Sequence, residues 1–173
     1  MSKFLSLSRK GAALLALVCL ILSFTGCYSF RDVSIPPEVK TVRIQYIENK
    51  ARYVNPLLSP QLTDKLRQKV MSQTRLTQVQ GEDAHYDISG TITDYSVSTA
   101  GISNQQAASN RLNITVQIQF RNRLDETKNF EASVTRNFDF NAQLTLDQAQ
   151  NQLMDEILRN LSDEIFNRIF SNW

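Results

Sequence analysis

The sequence has few of the residues on which enzymes and metal sites most often depend. Its 173 residues include two cysteines, one histidine, four prolines and five glycines. The single histidine, His85, excludes a two-histidine metal site, so a metal centre would need carboxylates alone. Both cysteines, Cys19 and Cys27, lie near the N-terminus. Residues 28–173 therefore have no thiol for a disulfide, a metal or nucleophilic catalysis, and we expect no cofactor and no metal.

Motifs for catalysis by other side chains are incomplete. Residues 101–105, Gly-Ile-Ser-Asn-Gln, match half of a nucleophile elbow. They lack its second glycine, and their flanks indicate a loop instead of a strand and a helix. The carboxylate pairs at 82–83 and 125–126 fall in predicted turns, where nothing separates their pKa values for acid–base work. The sequence thus predicts a protein that is not an enzyme.

The N-terminus carries an export signal that ends at Cys27. Three basic residues precede an apolar run over residues 12–24, and small residues lead into the cysteine. This pattern is typical of a bacterial lipoprotein signal peptide over residues 1–26, with acyl chains attached to Cys27. Phe24 stands where a lipobox most often has leucine. An ordinary signal peptide and a transmembrane anchor are the alternatives, but the apolar run is short for a span and contains Ser23.

Loss of the leader changes the net charge. Residues 1–26 contain three basic side chains and no acidic one, which leaves 16 basic and 17 acidic residues. A formal charge of −1 does not indicate a nucleic-acid partner, which would need a clustered basic face. The Pro36-Pro37 pair disfavours regular structure, so residues 27–39 are predicted to form a lipidated tether. Residues 40–173 suffice for one domain with one core.

Alternating apolar residues predict a strand over residues 40–47, with Val42, Ile44 and Tyr46 on one side. Ser59-Pro60 resembles an N-cap and a first helical residue. The helix that follows places Leu62, Leu66 and Val70 in one apolar stripe. A short strand over residues 76–79 is a further possibility.

Three more strands are predicted over residues 86–98, 111–121 and 130–140. A change of phase near Thr93-Asp94 indicates a bulge. Residues 99–110 have no periodicity and are predicted to form a long mobile loop. Arg136 falls in the apolar phase, so either a bulge turns it outward or its head group reaches past the sheet edge. Thr145 and Gln148 match a capping box that opens a helix of about 25 residues.

These elements predict an α+β fold, a two-layer sandwich in which a mixed or antiparallel four-stranded sheet carries two helices on one face. The opposite face would be polar with little charge, so that it can contact water or a polar protein wall at little desolvation cost. Its predicted residues are Arg43, Gln45, Asn113, Thr115, Gln117, Gln119, Ser133 and Thr135.

Basic residues concentrate at the ends of the central predicted hairpin. Such side chains protect sheet edges and aid solubility, and they also bind phosphates, so a phosphorylated lipid head group is a candidate ligand. The candidates are Arg111, Arg121, Arg123, Lys128 and Arg136.

Several segments together resemble the LptE family of lipopolysaccharide-assembly lipoproteins, in its more divergent Gram-negative branch. The resemblance lies in the order and spacing of Cys-Tyr-Ser-Phe at 27–30, Ser-Ile-Pro-Pro at 34–37, Val-Arg-Ile-Gln-Tyr at 42–46, Val-Asn-Pro at 54–56, Gly-Thr-Ile-Thr-Asp-Tyr at 90–95, Asn-Arg-Leu-Asn-Ile-Thr-Val at 110–116 and the terminal residues 165–173. It covers residues 27–173, and no single motif is specific.

The resemblance implies two helices on a small sheet and a non-enzymatic plug inside the outer-membrane β-barrel LptD, which it helps to assemble and to receive lipopolysaccharide. It also implies contact with lipopolysaccharide through basic residues near loop ends of the sheet. Tyr28 after the lipidated cysteine, rather than Asp, favours an outer-membrane location on the periplasmic side. The alternative is another periplasmic lipoprotein of similar shape, such as a synthase activator or a secretion-pore subunit.

Overall fold

The computed structural model describes residues 35–103 and 106–171. The predicted signal peptide, Cys27 and residues 27–34 of the predicted tether lie outside this range. The described part contains six strands and two α-helices. In chain order they are β1 (Thr41–Ile44), β2 (Glu48–Asn49), α1 (Leu58–Gln73), β3 (Thr77–Gln78), β4 (Tyr86–Ser103), β5 (Gln106–Asn122), β6 (Phe130–Asn141) and α2 (Leu146–Phe170), with a 3₁₀ turn (Glu126–Lys128) between β5 and β6.

The strands form one mixed sheet in the order β3-β1-β4-β5-β6, and β2 also pairs with β4. Strand β1 is parallel to β3 and to β4, whereas β4, β5 and β6 form an antiparallel meander. The predicted α+β class is therefore confirmed. The sheet has six strands instead of four, because the short strand considered for residues 76–79 forms as β3 and a further two-residue segment, β2, pairs with β4.

Both helices cover the same face of the sheet. The apolar residues of β5 from Leu112 to Phe120 are all buried, as their alternation predicts. Leu66 of α1 and Ile165 of α2 line one small internal void together with Val116 and Ile118 of β5. The residues around it belong to a single hydrophobic cluster. No helix in the described ranges combines the length and the apolarity needed to cross a membrane.

The predicted bulge in β4 is confirmed, because the register against β5 shifts between Ile92 and Asp94. The first predicted strand is partly wrong. Val42 and Ile44 are buried, but the strand ends at Ile44, and Ile47 is buried in place of Tyr46, which is 53% exposed. Between β1 and β2 the buried positions change from even-numbered to odd-numbered residues, which leaves Tyr46 exposed to solvent. The alternation of apolar residues in the sequence does not show where this change occurs.

The predicted loop over residues 99–110 is wrong. Strand β4 continues to Ser103 and β5 begins at Gln106, so the two strands remain paired almost to the end of the hairpin. Register shifts occur on both sides of Gly101, where an added Cβ would lie 2.8 Å from Ser109 Oγ. Backbone hydrogen bonds between β4 and β5 hold this end of the hairpin together. Such bonds do not require alternating apolar residues, so the sequence pattern does not reveal them.

The two helix starts differ in how well the sequence predicts them. The capping box of α2 is confirmed, because Gln148 N donates to Thr145 Oγ1 at 3.3 Å and Thr145 N donates to Gln148 Oε1 at 3.0 Å. The predicted cap at Ser59 is wrong. Helix α1 begins at Leu58, two residues before the predicted first residue Pro60, so that Ser59 lies inside the first turn and is buried.

Candidate interaction surface of the sheet

The face of the sheet opposite the helices, here called the open face, is built from polar side chains that bond across strands. Thr115 and Thr135 join hydroxyl to hydroxyl at 3.0 Å, and Gln119 Nε2 donates to Glu131 Oε1 at 2.9 Å. All eight residues predicted for this face are exposed or half-buried. The open face is therefore a preformed layer of hydrogen bonds with little unpaired charge.

One row of charged residues crosses three strands of the open face. The pairing register places Asp87 of β4 between Arg43 of β1 and Arg121 of β5. Arg43 binds the Asp87 carboxylate with both Nε and Nη2, at 2.9 and 2.8 Å, and Gln45 Nε2 lies 3.0 Å from each oxygen. This fork geometry is the strongest form of ion pair, and it fixes β1 against β4.

The electrostatics of this row follow from its geometry. Burial by itself would raise the pKa of the Asp87 carboxyl, but hydrogen bonds from Arg43 and Gln45, with the positive charges of Arg43 and Arg121, lower that pKa below its ordinary value. Hydrogen bonding to Asp87 likewise raises the pKa of Arg43. Both groups are therefore charged at neutral pH, and Arg43 is committed to its partner.

Three of the five predicted ligand-binding residues meet at one end of the sheet. Arg121 is the penultimate residue of β5, and Arg123 is the first residue after this strand. Lys128 is the last residue of the 3₁₀ turn that leads to β6. The guanidinium groups of Arg121 and Arg123 form no ion pair within the described part of the chain. We call Arg121, Arg123 and Lys128 the basic end.

Arg111 and Arg136, the other two predicted residues, lie elsewhere and have acidic partners. Arg111 binds Asp139 through Nε and Nη2 at 2.7 and 2.9 Å. It is ten residues from Arg121 along β5, which corresponds to about 34 Å. Arg136 lies opposite Ile114 in a register without a shift, and its guanidinium pairs with Glu164 of α2. Its head group thus reaches across the sheet edge, as one of the two predicted alternatives describes.

The residues considered for catalysis are far apart. His85 directly precedes β4, whereas Ser103 ends it, so the two lie on the order of 50 Å apart along the strand. His85 Nδ1 accepts a hydrogen bond from Lys40 N at 2.9 Å, which gives this side chain a structural role. In residues 35–103 and 106–171, no three histidine, cysteine, aspartate or glutamate side chains are grouped as metal ligands are.

Sequence reasoning missed the Arg43–Asp87 pair. Both residues occur in alternating segments, but they are 44 positions apart, and no local signal indicates which strands become neighbours. Their opposite charges on half-buried strand positions are the one available hint.

The comparisons with known proteins agree with this architecture. The sequence model of the lipopolysaccharide-assembly family LptE matches residues 39–169, which is more than half of the chain. No curated protein matches the sequence.

Several solved structures share the fold at low identity. A minor lipoprotein from Acinetobacter baumannii is 16% identical, with a TM-score of 0.52 over 78% of this chain and 95% of that one. A hypothetical protein from Chlamydia trachomatis is 10% identical, with a TM-score of 0.53 over 76% and 96%. A protein from Xanthomonas campestris is 10% identical, with a TM-score of 0.52 over 78% and 88%. These likenesses concern the fold, whereas the sequence match shows that the chain belongs to the LptE family of lipopolysaccharide-assembly proteins.

Proposed function

We propose that this protein is a non-enzymatic outer-membrane lipoprotein that plugs an LptD-type β-barrel and helps it to assemble and to insert lipopolysaccharide. The observation that carries the proposal is the family match over residues 39–169. The open face is compatible with it, because a polar surface of this kind can lie against the polar lumen of a large barrel without burying isolated charges.

Anchoring is the second part of the proposal. Cys27 carries the acyl chains after removal of residues 1–26, and residues 27–39 link the lipid to the domain on the periplasmic side of the outer membrane. Val39 is buried and Ile35 packs against the core, so the length available for extension is that of residues 27–34, which at about 3.3 Å per residue span up to roughly 26 Å. Mass spectrometry of the purified chain tests the proposal directly: an unprocessed N-terminus with a free Cys27 thiol would refute it.

The basic end is the proposed contact for lipopolysaccharide. Arg121 and Arg123 offer guanidinium groups without ion pairs to the phosphates of the lipid, and Lys128 adds a third positive charge at the same end. Arg111 and Arg136 are weaker candidates, since each would have to leave Asp139 or Glu164 to bind a phosphate.

Co-purification tests the partnership. The full-length chain, extracted in mild detergent, should bring with it a very large β-barrel protein in a fixed ratio. Repeated absence of a barrel would refute the plug and favour a lipoprotein that activates or scaffolds another envelope protein.

Charge reversal tests the lipid contact. The double variant Arg121→Glu/Arg123→Glu should weaken binding of purified lipopolysaccharide by at least tenfold, because phosphate contacts are lost on an exposed surface. The domain should stay folded with a slightly lower melting temperature, because the new carboxylate at position 121 lies opposite Asp87. The matched control is Arg159→Glu/Arg168→Glu, which changes the net charge equally on exposed positions of α2. If both double variants bind lipopolysaccharide with equal affinity, the basic end does not contact the lipid and contributes only to solubility.

A further inference from the structure

Strand β6 is a long sheet edge with few of the usual features that block strand addition, of which the Arg136 side chain that reaches toward Glu164 is the main one. It is the last strand in the sheet order and pairs only with β5 in the described part of the chain. Its 12 residues contain no proline, and its register against β5 has no shift. Natural sheet edges are normally formed by strands that are short, bulged or covered by another element.

The direction of the β6 backbone groups follows from one hydrogen bond. Ala142 N, one residue beyond β6, donates to Ala108 O of β5. Because hydrogen-bonded positions alternate along an antiparallel pair, the N–H and C=O groups of the even-numbered residues of β6 point toward β5. The N–H and C=O groups of the odd-numbered residues therefore point away from the sheet. These residues are Glu131, Ser133, Thr135, Asn137, Asp139 and Asn141, and all six are exposed.

A groove runs between this edge and helix α2. It encloses about 320 Å³ and is lined by Asn137, Phe138 and Asp139 of β6, Leu153 and Glu156 of α2, and Arg111. The strand edge offers backbone hydrogen bonds on one side, while the half-buried Leu153 offers a small apolar contact beside the buried Phe138. A groove between an edge strand and a helix is a recurrent site for an extended peptide that adds to a sheet.

The charges of the groove favour a basic occupant. Arg111 is neutralised by Asp139, and Arg136, the inward-pointing charge that would otherwise discourage pairing, is neutralised by Glu164. Glu156 forms no ion pair with any described residue. The local charge that remains is negative.

A second copy of this chain is a poor occupant. Symmetric antiparallel pairing about Arg136 is the register that pairs all six outward residues, and it places Arg136 of each chain opposite Arg136 of the other. Like charges directly opposite each other on one face are destabilising.

We propose that the β6 edge and the groove beside α2 bind an extended segment of the partner barrel as an additional strand, with an apolar side chain against Leu153 and a basic side chain near Glu156. The inference rests on the proposed function and adds to it the surface and the mode of contact. Because the wall strands of a closed barrel are paired with one another, the segment comes from a part of the barrel protein that lies outside its wall.

Hydrogen exchange tests the added strand. The full-length chain is compared in detergent alone and in complex with the co-purified barrel, by mass spectrometry of peptides that cover residues 130–141. The inward amides are protected in both states, so any gain reports the outward amides of β6. We expect at least tenfold slower exchange there in the complex. A complex in which these amides exchange as fast as in the free chain overturns this inference alone, whereas failure to recover a barrel overturns the proposed function and this inference together.

A matched pair of variants gives an independent readout. Thr135→Pro removes one outward N–H that the sheet itself does not use, whereas Thr135→Ala removes the same hydroxyl and keeps that N–H. Thr135→Pro should reduce barrel recovery at least fivefold relative to Thr135→Ala. Glu156→Lys should reduce recovery in the same way relative to Glu156→Gln. Equal recovery within both pairs would contradict strand addition at this edge.

Discussion

Truncation of Ile118 to alanine probes the face assignment on which the architecture depends. Ile118 is 1% exposed and lies under both helices, beside Leu66 and Ile165. Its neighbours across the sheet are Gly90 on β4 and Ala132 on β6. Both neighbours are small, and the side chain of Ile47 lies over Gly90, so Ile118 packs among larger residues from other elements.

This environment sets the expected magnitude. Replacement of a buried isoleucine by alanine costs about 2–5 kcal/mol, and the cost rises with the cavity that remains. A glycine and an alanine cannot extend into that cavity, whereas the larger neighbours Leu66 and Ile165 can close it in part, which places Ile118→Ala in the middle of the range, at about 3–4 kcal/mol. For a domain of this size, that loss lowers the melting temperature by roughly 12 °C. Ile118→Asp adds a buried charge and should prevent stable folding.

The assay is chemical denaturation of the purified chain followed by circular dichroism. The matched control is Gln117→Ala, one position along the same strand on the open face. It loses a single hydrogen bond from Ser133 and should cost about 1 kcal/mol. A loss of less than 1 kcal/mol for Ile118→Ala, or a larger loss for the control, would mean that the two faces of β5 are assigned the wrong way round.

Two further predictions concern the ion pair and the helix cap. The lowered pKa of Asp87 stabilises the fold fully above the ordinary carboxyl pKa of 3.8, and this stabilisation is lost as the pH falls through the lower folded-state value. Asp87→Asn should therefore lose less stability than the wild type between pH 5 and about pH 2, in denaturation curves at each pH, and equal losses for the two proteins would contradict this role of Asp87. Thr145→Ala removes the side-chain acceptor of the α2 capping box and should cost about 1 kcal/mol in the same assay, and no loss would mean that the box does not contribute.

The sequence predicts most elements because their signals are local. Alternation on β5 identifies its core face, and the pattern Thr145-Leu-Asp-Gln148 identifies the start of α2. The start of α1 was misassigned because Ser59 and Pro60 form a good cap signal that packing overrides: Ser59 is buried inside the first turn. The hairpin beyond Thr99 was missed because backbone pairing holds it without an apolar pattern.

The candidate sites depended more on tertiary structure. The sequence identifies five basic residues near strand ends, but it does not indicate which of them have acidic partners. Only the fold brings Asp139 to Arg111 and Glu164 to Arg136, which leaves Arg121 and Arg123 without ion pairs in the described part of the chain. The edge of β6 and its groove depend on strand order, for which no sequence signal exists.

The sequence alone determines the apolar faces, the capped helix and the scarcity of catalytic groups, since each depends on residues within a few positions of one another. Only the tertiary structure decides that Arg43, Asp87 and Arg121 form one row and that β6 is left at the edge. The physical reason is that pairing between distant strands is selected by the total burial of the core, to which every element contributes at once.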